Sequence, residues 1–177
     1  VLDYDIVRVF RPLIVDGLAD LGITDVDVLM NYQPTKQGAD TKAVYFFNVG
    51  DKNVGAVSRD NIIDNDTQIL ESVETQVKET TFQVNTLFKQ DPSNLTITAK
   101  DLCSYVYMIL QRRKSLDTLK SNGLGILWVS EIRNVPFMDS DDNYIFNPSF
   151  DFTITHKQVL KGELHKIDNF NATIKRV

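Results

Sequence analysis

Ala43-Val44-Tyr45-Phe46-Phe47-Asn48-Val49 is the stretch on which the fold turns. Val44, Tyr45, Phe46, Phe47 and Val49 are strand formers, residues that fit a packed, pleated surface. Successive strand residues point to opposite sides of a sheet, so this run places aromatic rings on both sides. A sheet with one wet face would instead alternate apolar with polar residues. One face of this strand therefore belongs on a core, and the other also needs cover, from core or from another subunit.

Working outward, Val26 to Tyr32 reads as a preceding strand. Gln33-Pro34-Thr35-Lys36-Gln37-Gly38-Ala39-Asp40 then breaks the pattern with turn formers and charge. On the other side, Gly50-Asp51-Lys52-Asn53 predicts a turn, and Val54 to Asn65 reads mostly as loop with a short extended piece. Ile69 to Gln90 predicts one long strand or a strand pair. Ile69, Val73 and Val77 share one parity, whereas Phe82, Val84, Thr86 and Phe88 share the other. A β-bulge near Val77 to Thr81 would reconcile them, because a one-residue slip reverses the buried face.

Two helices flank these strands. In the segment Asp3 to Leu21, Ile6, Val9, Phe10, Leu13, Ile14, Leu18 and Leu21 form a helical stripe, with Pro12 predicting a kink and Gly22 a left-handed stop. The second helix opens on a capping box, Thr98 with Asp101, buries Leu102, Tyr105, Val106, Ile109 and Leu110, and should run to about Lys120 before Asn122-Gly123. Ile126 to Phe137, containing Trp128, pairs by pattern with Phe150, Phe152 and Ile154, which alternate with Asp151, Thr153 and Thr155. Asp139-Ser140-Asp141-Asp142-Asn143 is the expected hairpin tip. The order predicts an α+β fold, a mainly antiparallel β-sheet with two helices packed on one side. Residues 1–156 form one domain, and 157–177 are expected to be a C-terminal arm or edge strand.

Composition sets bounds on function. The 177 residues, 42% hydrophobic and 24% charged, fit one ordinary domain with a real core. Nothing resembles a leader or a membrane-spanning run, and one cysteine cannot make an internal disulfide, so folding in a reducing cytosol is expected. The glycosylation-like triplets at Asn65, Asn94 and Asn171 then carry no meaning. Net charge is −5, unevenly spread. Residues 60–101 hold eight acids against three lysines, while 156–177 carry five cations against two acids. A basic tail on an acidic body suits a phosphate contact, contact with an acidic neighbour surface, or simple solvation.

Chemistry-bearing motifs are weak. Asp139, Asp141 and Asn143 have the opening spacing of a calcium loop, but Tyr144 stands where glycine is needed and Phe150 where glutamate is needed. His156 and His165 have no partner at a useful spacing, and Cys103 reads as a small core residue rather than a nucleophile. Gly123-Leu124-Gly125 lacks the remaining glycine and the lysine of a phosphate loop. Arg112-Arg113-Lys114 reads as a charged outer helix face. No catalytic residue, cofactor or metal site is expected, and an interaction protein remains. Its candidate interface residues are Gln33, Lys36, Gln37 and Asp40 in the first loop, Tyr45 and Phe47 on the apolar strand, Asp139, Asp141 and Asp142 at the hairpin tip, and Lys157 and Lys161 in the basic tail.

The chain resembles the tail-terminator and neck proteins of tailed bacteriophages. The likeness rests on the N-terminal helix, Asn31-Tyr32-Gln33-Pro34 and Gly38 leading into Val44-Tyr45-Phe46-Phe47, then Phe82-Gln83-Val84-Asn85. The second helix, Trp128 through Arg133, and Asn147-Pro148-Ser149-Phe150-Asp151-Phe152 extend it over most of residues 3–156. The resemblance implies a tail-terminator-like fold and a homo-oligomeric ring, six-fold in that family. Such a ring caps the tail tube, meets the head connector and lets phage DNA pass without specific binding. It would reside in the virion neck after assembly in the host cytoplasm. A head-completion (connector or adaptor) protein of the same neck is the alternative, followed by a cytosolic enzyme with a dispersed site. A nucleic-acid binder using the basic tail would be retained on DNA in a steeply salt-dependent way.

Overall fold

The computed structural model describes residues 3–30, 42–63, 70–87, 97–138 and 144–163. The elements are α1 (Asp3–Ala19), β1 (Val26–Met30), β2 (Lys42–Ile63), β3 (Leu70–Leu87), α2 (Ala99–Gln111), α3 (Arg113–Ser121), β4 (Gly125–Val129), β5 (Arg133–Met138) and β6 (Tyr144–Glu163). The strands form one sheet in the order β1-β2-β3-β6-β4, and β5 also pairs with β6. All pairings are antiparallel except that of β1 with β2. The expected α+β class, mainly antiparallel with helices on one side, is what forms.

The core lies between the helices and one face of the sheet. Val44 and Phe46 of β2, Phe82 and Val84 of β3, and Phe150, Phe152 and Ile154 of β6 point into it, against Ile6, Phe10, Ile14 and Leu18 of α1 and Leu102, Val106, Ile109 and Leu110 of α2. Phe152 stacks on Phe82 at 5.6 Å between ring centroids and meets Phe10 at 5.0 Å. Each such pair adds about 0.5–1.5 kcal/mol beyond the area it buries.

Helix ends follow the sequence signals. Gly22 has φ 77°, its N–H donates to the Ala19 carbonyl at 2.9 Å, and the Ile23 N–H reaches back to Leu18 at 3.0 Å. Together these make a Schellman stop with Ile23 buried behind it. Gly123 (φ 71°) and Leu124 repeat the same arrangement after α3. Thr98 and Asp101 form the expected capping box. α1 continues through Pro12.

Four readings need correction. The second helix is two helices, because Arg112 adopts an extended backbone (φ −61°, ψ 145°). The buried Ser115 hydroxyl donates to the Ile109 carbonyl at 2.6 Å, which stabilises the break and lets Leu119 of α3 turn inward. Secondly, residues 50–63 are not turn and loop. β2 runs on to Ile63, paired with β3 along its length. Thirdly, the bulges lie in β2 rather than in β3: register shifts fall between Asn48 and Gly50 and between Val54 and Ser58, while β3 pairs with β6 without interruption. The two parities of β3 are two faces of one regular strand. Finally, the strand holding Trp128 is divided at Ser130 to Ile132, where the Ser130 hydroxyl takes the Asp151 N–H at 2.8 Å. β6 itself passes through residue 156 without a break and ends at Glu163.

Two outcomes are expected from this packing. A Cβ on Gly17 would lie 2.5 Å from Ile109 Cγ2 where α1 crosses α2, so Gly17→Ala should destabilise the fold by about 1–3 kcal/mol in urea unfolding. Thr98→Ala should cost about 1 kcal/mol. Hydrogen bonds from the Thr98 side chain and backbone hold Asp101 below the usual carboxylate range. Its contribution is therefore complete at neutral pH and lost as pH falls through that lowered value, and Asp101→Asn should flatten this part of the acid-side stability curve.

Candidate assembly surface

The candidate surface is the face of the sheet turned away from the helices, on which Ser149 and Thr153 are buried and the other residues partly so, together with a ribbon that extends from it. Because Phe46, Val84, Phe150 and Phe152 face the core, their neighbours Tyr45 and Phe47 on β2, Gln83 and Asn85 on β3, and Ser149, Asp151 and Thr153 on β6 face away. Tyr45 and Phe47 are half-buried there, beside Leu29 of β1, whose register partner is Tyr45. Trp128 lies opposite Thr153 on the far edge, and with Leu127, the extra residue of a β4 bulge, it is more than half exposed. The centre of the face is polar: Thr81 and Thr153 hydroxyls are 2.9 Å apart, and Arg133 donates to Asp151 at 2.7 Å.

Beyond the core β2, β3 and β6 continue as a three-stranded ribbon made of 51–63, 70–79 and 157–163. No helix contacts it strongly enough to bury either side, so apolar and charged residues mix on both. Cross-strand ion pairs stitch it: Lys52 to Glu79 at 3.7 Å, Arg59 to Glu74 at 3.0 Å, and Lys161 to Glu71 at 3.0 Å. At such exposure each contributes about 0–1 kcal/mol. The Gln76 amide donates to the Val54 carbonyl at 2.8 Å and fills the bulge at Gly55, whose φ is 72°. Val57, Ile62, Ile63, Val77, Val159 and Leu160 remain exposed on this ribbon. Among the described residues its two margins have no strand partner: β1 pairs with β2 only as far as Phe46, and β4 with β6 only as far as Thr155.

Of the candidate residues, Tyr45 and Phe47 lie on the bare face, and Lys157 and Lys161 lie on the ribbon, remote from them along the sheet. Gln33, Lys36, Gln37, Asp40, Asp139, Asp141 and Asp142 lie outside the described residues. Sequence reasoning missed Leu127 and Trp128 as surface residues and missed most of the ribbon. An apolar pair next to Gly125 could have signalled the former. Among the described acids of residues 60–101, Glu71, Glu74 and Glu79 each face a cation. Arg112 and Lys114 lie 3.9 Å from Asp20, and Arg113 is 3.2 Å from Asp117, as a charged outer face should be.

Among the described residues, features suited to catalysis do not converge. Cys103 is fully buried, and burial pushes its thiol up to about 12 despite the opposing hydrogen bond of Thr86. His156 is buried with Nε2 3.0 Å from the Thr80 hydroxyl. No group of three His, Cys, Asp or Glu that could hold a metal occurs among the described residues. No helix among them is long and apolar enough to cross a membrane. A hollow of about 440 Å³ beside α1 is lined by Asp5, Arg8, Val9, Asn122 and Leu124, a set without a nucleophile.

The fold is that of a terminator subunit. The sheath/tube terminator of the PVC extracellular contractile injection system, in its extended state, superposes with a TM-score of 0.58 at 13% identity, covering 100% of this chain and 64% of that one. At that identity the likeness is one of fold, and this chain spans less than two thirds of the other's length. No curated protein matches. The model of the E217 gateway protein gp29 family matches residues 5–165, and the chain belongs to that family. It is thus a structural protein of the tail-terminator and neck group of tailed phages.

The buried thiol has a direct consequence: Cys103 should resist iodoacetamide in the native protein at pH 8 and become alkylated on unfolding in guanidinium. Rapid native labelling would mean that the core under α2 opens.

Proposed function

We propose that the chain is a ring-forming terminator subunit of the phage neck, which caps the tail tube and presents its other side to the head connector. The observation that supports this reading is β-surface that the helices do not cover: a half-buried aromatic-bearing face at Leu29, Tyr45 and Phe47, an exposed Trp128 edge, and a ribbon whose two margins have no strand partner among the described residues. Exposed strand margins recruit other chains unless something covers them. A head-to-tail contact between identical copies closes into a ring where its rotation closes. Six copies is the number that the family resemblance implies. The family and the fold support a structural role rather than an enzymatic one. Net charge of −5 and the paired carboxylates of the ribbon give a passage through which DNA slides without the counterion-release affinity of a basic lumen. The location is the virion neck, following assembly in the host cytoplasm.

Native mass spectrometry and negative-stain imaging of the purified chain test the reading. A closed ring of about six copies that binds tube ends and halts tube growth in vitro is expected. A monomer that persists at high concentration, both alone and with tube protein, would remove it. A ring that binds connector protein and ignores tube ends would identify the adaptor of the same neck instead.

A further inference from the structure

Gly123 is the only glycine in the chain that follows an asparagine, and Asn122-Gly123 lies at the exposed end of α3. Glycine has no side chain to shield its nitrogen and turns freely, so this is the dipeptide whose backbone most readily attacks the neighbouring amide. We propose that Asn122 is a site of spontaneous deamidation that the cap of α3 suppresses, so that the reaction makes a transient opening of that cap permanent. The proposal concerns α3 and its cap alone and is independent of the ring reading.

In the reaction the Gly123 nitrogen passes its proton to solvent and attacks Asn122 Cγ. The N–Cγ bond forms, the Cγ–Nδ2 bond breaks, and ammonia leaves with a proton taken from water. Water then opens the succinimide ring at one carbonyl or the other, leaving aspartate or isoaspartate at 122. The folded cap opposes each requirement. The Gly123 N–H donates to the Lys120 carbonyl at 3.0 Å. Asn122 Nδ2 donates to the Thr118 carbonyl at 2.8 Å, which holds the amide back over the helix. Ring closure also needs the Gly123 nitrogen eclipsed with Cβ across the Cα–C bond of Asn122, far from the observed ψ of 11°. Beyond the turn, buried Leu124 donates to the Leu119 carbonyl at 2.9 Å and locks Gly123 at φ 71°. The reaction thus proceeds from molecules whose last helical turn has opened, and its rate follows their population.

The product does not fit the cap. A carboxylate at 122 cannot donate to the Thr118 carbonyl, and it stands at the helix C-terminus, where the dipole disfavours negative charge. Isoaspartate adds a methylene to the main chain, which displaces Leu124 from the core and shifts the start of β4.

Peptide mapping of the full-length protein tests the site. After incubation at pH 8, native or in guanidinium, the tryptic peptide 121–133 is read for amide-to-acid conversion and for isoaspartate. Conversion should be slower in the native protein by about tenfold or more. Lys120→Gly, an exposed change that weakens the last turn, should raise the native rate about threefold and leave the rate in guanidinium unaltered, read on peptide 115–133. Asn122→Asp should melt below the parent. Thermal midpoints of both variants separate opening of the turn from global unfolding. Equal native and unfolded rates, an intact Asn122 in guanidinium, a native rate that Lys120→Gly leaves unchanged, or an Asn122→Asp protein as stable as the parent would each overturn the proposal.

Discussion

Phe152 is where the layers of this protein meet. Its ring stacks on Phe82 of the neighbouring strand, tilts against Phe10 of α1 and lies 6.5 Å from Phe150, which in turn takes the edge of Tyr107 from α2. The helices are held to the sheet chiefly through this contact set, because dispersion and apolar burial are non-directional and need a dense patch to fix an orientation. The sequence Phe150-Asp151-Phe152-Thr153-Ile154 supplies that patch and, by its alternation, turns Asp151 and Thr153 outward. The same strand thus fixes both the core and the bare face. Its neighbours change along its length: β5 beside residues 144–149, β4 beside 152–155, and β3 from 149 to 163.

The core half of the fold was legible in the residues because burial leaves a periodic trace. Helical stripes, the capping box at Thr98, the stops at Gly22 and Gly123, and the alternation of Phe150 to Thr155 each arise from a local rule with a physical cause. The ribbon left no such trace. Neither of its faces is buried, so residues 51–63 show no two-residue period, and Gly50, Asp51, Asn53 and Gly55 read as turn formers. What keeps them extended is the ladder to β3, a long-range constraint that local propensity does not register. The break at Arg112 was hidden for a similar reason. The stabilising bond, from Ser115 to the Ile109 carbonyl, depends on a backbone bend that no side-chain pattern announces.

The residues of the candidate surface differ in how plainly the sequence marked their place in the fold. Tyr45 and Phe47 were readable because a doubly apolar strand demands a second cover. Lys157 and Lys161 were noticed as charge, in a segment read as either an arm or an edge strand, since their stretch lacks alternation strong enough to decide between the two. Leu127 and Trp128 escaped attention because they were assigned to a paired strand, whereas a bulge turns Leu127 out of register. Apolar residues on a sheet margin are hard to recognise from composition alone, because they look like core until the topology shows which strand is last.

The length of β6 has a mechanical meaning. At about 3.3 Å per residue, its 20 residues form a tie rod of about 65 Å that runs from the β5 hairpin through the core to the ribbon. Tension applied between its ends acts along the strands, so the bonds of the flanking ladders resist together in shear instead of opening one after another. A particle that is pressurised at one end and pulled at the other would find in this single element a stiff, covalent load path across each subunit.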